Sequence, residues 1–246
     1  MISNKKIILP VFLWLAFLIC GGCGFTLDKS HYAYVPSEKF NEDVNPLPVT
    51  VVINNLVDLR ERVNEEYIAF IYLPAVPYTN SHYDRPEINP KFIEKGLNPS
   101  TDFANAIMQE MKQNNLFRDI TLVNQNDSKN GDLIVTGKIY RAHVDTKATL
   151  YGISILGIAP LILGLPQGWV YNSLSVQYEM RRAYDNEVVW KWEINGDWSR
   201  AVALYYNYSK DDPYTGMNVI LRKGLREGLT ALAEEIKHKP LEYWKH

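Results

Sequence analysis

The residues of this chain that could do chemistry are scattered. Five histidines stand at positions 31, 82, 143, 238 and 246, without the i, i+4 spacing that puts two imidazoles on one helix face for a metal. His82-Tyr83-Asp84 is the nearest thing to a ligand cluster and reads as a solvated polar loop. Asp58, Arg60, Glu61, Arg62, Glu65 and Glu66 hold carboxylates near enough in sequence for acid–base work. A charge run directly after an apolar strand is more simply a solvated face. No G-x-S-x-G elbow, Gly-rich phosphate loop or H-E-x-x-H is present. These patterns predict no catalytic residues, no metal site and no cofactor. A triad assembled from distant residues leaves no local signature, so a hydrolase using Asp58, His82 or Asp84 stays open as an alternative.

The two cysteines carry a sharper message. The chain opens with Lys5-Lys6, runs through an apolar stretch from Ile7 to Ile19 that includes Pro10, and reaches Cys20-Gly21-Gly22-Cys23-Gly24-Phe25. A basic start, a short apolar segment and small residues before a cut site mark a secretory signal peptide. Thirteen apolar-segment residues fall short of the roughly twenty needed to span a bilayer. Gly21-Gly22-Cys23 resembles the lipobox of bacterial lipoproteins, although Cys20 stands where that pattern has Leu. The resemblance implies cleavage after Gly22, acylation of Cys23 and a mature domain attached to a membrane through its N-terminal lipid. Gly24 stands where an inner-membrane retention signal has Asp, so the resemblance to Gram-negative lipoproteins implies the outer membrane, with the domain facing the periplasm or, alternatively, exposed at the cell surface.

Removal of residues 1–22 takes away Lys5 and Lys6 and no acid, so the formal charge of −2 becomes −4. Such a mild balance offers no basic field for nucleic acid. With Cys20 removed and Cys23 acylated, the folded domain keeps no thiol for a disulfide, a zinc site or a nucleophile.

The elements that must position any site follow from periodicity. Residues 26–48 are polar, with Pro36, Pro46 and Pro48, and read as a tether. Residues 49–246 form one domain. Its first strand is predicted over 49–53, from the β-branched run Val49-Thr50-Val51-Val52-Ile53. A strand is conceivable over 66–73, after which Pro74, Pro77, Pro86 and Pro90 break any regular element. Helical spacing of Phe103, Ala106, Ile107 and Met111, capped by Asn98 or Ser100, predicts a helix that ends near Asn114-Asn115. Strands are predicted over 120–123 and 133–140, then a hairpin of 174–181 with 188–198 turning at Asp185-Asn186. A last helix carries Met217, Ile220, Leu221, Leu225, Leu229, Leu232 and Ile236 as one stripe, with Asp212-Pro213 as its start and Pro240 as its end. The sum is an α+β fold: a small mixed or antiparallel sheet with two amphipathic helices on one face, a Pro-rich insertion and an apolar loop. Trp190, Trp192 and Trp198 share one face of their strand, either as core beneath a helix or as an exposed binding platform.

The apolar loop, residues 151–166, contains eight Leu and Ile side chains, three Gly, two Pro and no charge. Leaving those side chains wet would cost on the order of 10 kcal/mol. Three covers are open: the domain's own sheet face, a partner or second copy, and the membrane leaflet that holds the anchor. Contact candidates are Ile155, Leu156, Leu161, Leu163, Leu165 and Trp169. Trp169 and Tyr171 suit a membrane interface and a protein interface equally.

The layout from Val49 onward, with "NNLF" after the first helix and "GDLIVTGKI" at 131–139, is similar to small periplasmic lipoproteins with an anticodon-binding-like α/β fold. Two groups look alike: the lipopolysaccharide-assembly lipoprotein that plugs an outer-membrane barrel, and the curli-secretion type of pore lipoprotein. The resemblance implies a non-catalytic accessory or scaffold that works with an envelope protein partner, or an oligomeric secretion or pore component built of copies of this chain. The Pro-rich segment and residues 151–166 are insertions against both groups.

Overall fold

The structure is a computed structural model that describes residues 32–40, 45–60, 64–68, 77–83, 97–123, 131–149, 162–166, 168–203 and 214–245. Among them, eight strands join in one mixed sheet. They are β1 (Leu47–Asn54), β2 (Val57–Asp58), β3 (Asn64–Ile68), β4 (Pro77–Tyr83), β5 (Phe117–Val123), β6 (Leu133–Thr149), β7 (Gly168–Arg182) and β8 (Val188–Val202). Helices α1 (Pro99–Gln113), α2 (Thr215–His238) and α3 (Leu241–Lys245) complete the fold.

Strand β6 is the axis. Its first residues pair in parallel with β1, which also pairs in parallel with β5. Its middle meets β2, and its last residues pair antiparallel with β4, which carries β3. Along the other edge it pairs antiparallel with β7 over its whole length, and β7 pairs with β8. The sheet therefore has a proximal end ordered β5–β1–β6–β7–β8 and a distal arm ordered β3–β4–β6–β7–β8. The predicted hairpin is present, and Asn186 adopts φ 60° in its turn, a left-handed conformation that Asn tolerates.

The predicted third strand stops at Tyr140, yet β6 continues to Thr149. The cause is a β-bulge: Ile139 pairs with Val176 and Arg141 with Ser175, so Tyr140 is the extra residue. A bulge shifts side-chain parity by one. Leu133, Val135 and Ile139 are buried before it, and Ala142 and Val144 after it. Strand β4 contains Pro77, which was expected to break regular structure; it stands first in the strand, where a missing N–H is tolerated.

Both long helices cover one face, as the sequence predicts. From α1, Phe103, Ile107 and Met111 are fully buried, and the Tyr178 hydroxyl of β7 donates to the Phe103 carbonyl at 3.2 Å. The capping is not as expected. Asn98 occupies the N-cap position without a side-chain bond, the Ser100 hydroxyl donates to the Leu56 carbonyl, and Asp102 accepts from the Asn98 N–H at 2.6 Å. Helix α2 buries its whole predicted stripe and begins after Tyr214; Asp212 and Pro213 lie outside the described residues.

Helix α2 fits β8 like a row of steps. Gly216, Ile220, Gly224 and Gly228 face Trp198, Gly196, Ile194 and Trp192 in turn. Four helix residues rise about 6 Å and two strand residues about 6.8 Å, so small meets large at each step. A Cβ on Gly224 would sit 2.5 Å from Ile194 Cγ2, and one on Gly228 2.5 Å from Trp192 Cδ1. Trp192 Nε1 donates to the Gly224 carbonyl at 3.0 Å, a bond made by close approach. The three tryptophans are thus helix-facing packing residues, with Trp190 buried and Trp192 and Trp198 half-buried.

Candidate functional site

Three features converge on the distal arm. The first is the chain's own N-terminal segment. Residues 32–40, expected to be part of a polar tether, lie against the helices. Glu110, on the apolar side of α1, is 0 % exposed. Its Oε1 accepts from the Tyr34 hydroxyl and from the Ser37 N–H, each at 2.6 Å, and its Oε2 accepts from the Ser37 hydroxyl at 2.7 Å. Burial and the adjacent Glu110 carboxylate push the Tyr34 hydroxyl far above the ordinary tyrosine range. At one end of the segment, Tyr32 packs edge-on against Phe103 and Tyr214, and Asn218 donates to the Ala33 carbonyl at 3.1 Å. At the other, the Phe40 N–H donates to Asn114 Oδ1 at 2.9 Å. The segment therefore runs from the first turns of α1 and α2 to the end of α1. Its N-terminal end faces the distal arm, because Gly216 in the first turn of α2 abuts Asn172 and Trp198.

The second feature is the open face of that arm. A groove of about 400 Å³ is lined by Arg141, His143, Asp145, Lys147, Tyr171, Ser173 and Asp197, among others. The bulge at Tyr140 turns these odd-numbered β6 side chains away from the helices. Register places His143 opposite Ser173 and Ser173 opposite Asp197, a histidine, serine and aspartate in one row. The order matters for chemistry. A triad needs the carboxylate on the imidazole, but here the serine lies between them, so His143 and Asp197 stand two strands, roughly 10 Å, apart. Asp197 instead meets Arg141 at 3.7 Å. The Ser173 hydroxyl is buried and makes no hydrogen bond among the described residues.

The third feature is the arm's tip, where Ala148 pairs with Gly168 and Gly168 with Val202. Leu163 is 78 % exposed, Ile162 62 % and Leu165 44 %. These three side chains are not folded over the domain's own sheet. Trp169 is half-buried on β7. Ile155, Leu156 and Leu161 lie outside the described residues, as does Cys23.

Of the remaining candidates, register sets Glu65 of β3 opposite His82 of β4, and His82 opposite Asp145 of β6. Asp58 is held by Arg60, which reaches its two carboxylate oxygens at 2.9 and 2.8 Å and donates to the Ala142 carbonyl at 3.1 Å. Arg60 is buried, so this part of the charge run is not the solvated face expected of it but a strap between β2 and β6. His82 belongs to β4; Asp84 lies outside the described residues. No cluster of three or more metal-ligating side chains occurs among the described residues, and no helix among them is long and apolar enough to cross a membrane. Sequence reasoning missed Glu110, whose one signal was a charge within the helical stripe between Ile107 and Met111. It also missed the Arg141–Lys147 row, because the parity change hid it.

No protein-family model matches the chain, and no curated protein does. Solved structures similar to it include protein XCC0632 from Xanthomonas campestris, a DUF330 protein, at 11 % identity over 86 % of this chain and 100 % of that one, with TM-score 0.42. Another is the PelC dodecamer from Paraburkholderia phytofirmans, at 9 % identity over 78 % of this chain and 92 % of that one, with TM-score 0.37. A protein from Caulobacter crescentus CB15 described as a lipoprotein matches at 11 % identity over 47 % of this chain and 73 % of that one, with TM-score 0.28.

Proposed function

We propose that this protein is an outer-membrane lipoprotein that acts by binding, as a non-catalytic accessory or scaffold for an envelope assembly or transport machine. The observation that carries the reading is the docking of residues 32–40 on Glu110. Nine residue steps separate Cys23 from Tyr32, which reach at most about 30 Å when fully extended. Acyl chains on Cys23 would then hold the domain close to the bilayer instead of letting it roam on a long tether. The order of the His143–Ser173–Asp197 row favours a contact surface over a hydrolytic centre.

Mass spectrometry of the mature protein tests the anchor. The expected N-terminus is Cys23 carrying acyl chains, and Cys23→Ser should abolish that mass and shift the protein out of the membrane fraction. A mature protein with an unmodified or different first residue would refute it. Crosslinking in cells then identifies the partner.

A second reading, an oligomeric secretion component, draws support from β8. It is a fifteen-residue strand that among the described residues pairs only with β7, and a long open edge can accept another strand. A defined multiple of the chain mass in detergent extracts would favour it; a monomer mass would exclude it.

A further inference from the structure

We infer that the tip of the β6–β7 arm inserts into the membrane leaflet that holds the lipid anchor; the inference rests on the anchoring reading above. Two independent placements support it. The tip lies at the distal end, and the chain leading back to Cys23 departs from that same end, beside Tyr32, Tyr214 and the first turn of α2. From the level of Asn172, which abuts that first turn, to Gly168 at the tip is four strand residues, about 13 Å. The nine steps from Cys23 to Tyr32 reach about 30 Å, enough to seat the acylated cysteine beside or beyond the tip.

The arm is also graded in polarity along its length. At the end are Ile162, Leu163 and Leu165, all exposed. Next comes Trp169, opposite Lys147, whose ammonium lies 5.2 Å from the centre of the Tyr171 ring. Behind these stand Asp145, His143 and Arg141. Apolar, then aromatic with a cation, then fully polar is the order a segment meets on passing out of acyl chains, through headgroups, into water. A protein pocket would ask for the apolar group but not for this gradient or for the shared end.

The test uses the full processed protein with Leu163→Cys, an exposed site, labelled with a polarity-sensitive fluorophore; acylated Cys23 does not react. It is reconstituted in phosphatidylethanolamine–phosphatidylglycerol vesicles, with and without brominated acyl chains. Tyr184→Cys, in the proximal β7–β8 turn, is the control. The expected result is blue-shifted emission at position 163, quenched several-fold more by brominated lipid than at 184. Equal, water-like emission at both positions overturns the proposal. A blue shift at 163 that brominated lipid does not quench also overturns it, in favour of a second copy or protein covering the tip. Mass spectrometry of the same preparation keeps the two readings apart. Absent acyl mass on Cys23 refutes the anchor, while the quenching contrast between 163 and 184 still decides the tip.

Discussion

Glu110 shows how one side chain turns a stretch of coil into part of a fold. A buried carboxylate without partners is expensive; here its partners all come from residues 34–37, so burial of Glu110 and docking of that segment are one event. Glu110→Ala should cost about 2–4 kcal/mol, since bonds to a charged group contribute about 1.5–3 kcal/mol each and the segment can partly resolvate by lifting off. The local readout is chymotrypsin cleavage at Tyr32, Tyr34 or Phe40, which should accelerate in the variant while the far-UV spectrum is unchanged. Unaltered protection would show that the segment is held by other contacts. Tyr34 adds a pH signature. Its ordinary value is 10.0, and burial and Glu110 raise it in the folded state. The neutral form is therefore favoured by folding, and this contribution is complete below about pH 10 and lost as pH rises beyond it. Tyr34→Phe should remove the alkaline onset of chymotrypsin cleavage. Tyr178, which burial also raises, sits in the core and leaves the global alkaline limb in place.

The contact between α2 and β8 depends on what is absent. Alanine at Gly224 would gain about 1 kcal/mol of helix propensity. Its methyl would stand 2.5 Å from Ile194, and overpacking of this kind costs about 1–3 kcal/mol. Because Trp192 bonds the Gly224 carbonyl, the helix cannot back away without losing that bond as well. Gly224→Ala should therefore lower stability by about 1–2 kcal/mol net, measured by urea unfolding, and Ile194→Ala, which removes the Cγ2 and Cγ1 atoms that the methyl meets, should cost less in that variant than in the parent. Equal or greater stability in the single variant would disprove the stepped packing. The stripe of α2 was legible because its leucines and isoleucines keep a 3.6-residue period, and the hairpin because residues 174–181 of β7 and 190–195 of β8 alternate apolar with polar. The glycines were not, since their meaning lies in the strand opposite. The distal half of β6 was hidden for a related reason: alternation was read correctly up to Tyr140, where the bulge reverses parity, and the sequence shows no more than a broken pattern. Residues 32–40 have no period at all. Their order comes from hydrogen bonds to α1 and α2 at a separation of more than seventy residues, beyond the reach of any local signal. Of the candidate contact residues, the exposed ones at 163 and 165 were read from composition, whereas the polar row behind them required the register.

At the scale of the molecule, the proposed anchor and the inferred insertion of the arm would act as two ties to one surface. The acyl chains proposed on Cys23 would hold the protein at the bilayer, and an apolar tip held at short range would add a second contact that fixes the orientation of the domain. On that reading the tip's effectiveness depends on local concentration, which the nine-residue span from Cys23 to Tyr32 would keep high. A Gly/Ser insertion between Phe25 and Thr26 that triples this span should lower the effective concentration of the tip at the bilayer roughly fivefold, following the −3/2 power of linker length. Nothing in the folded domain changes, so melting temperature and chymotrypsin protection of residues 32–40 should match the parent. The lipid-quenched fraction of the Leu163→Cys label should fall, and the rate of extraction from vesicles should rise. If the lengthened protein keeps the parent's quenching and extraction rate, the short span has no role in presenting the arm. The domain would then be held by the lipid alone, with its distal end free to turn toward a protein partner.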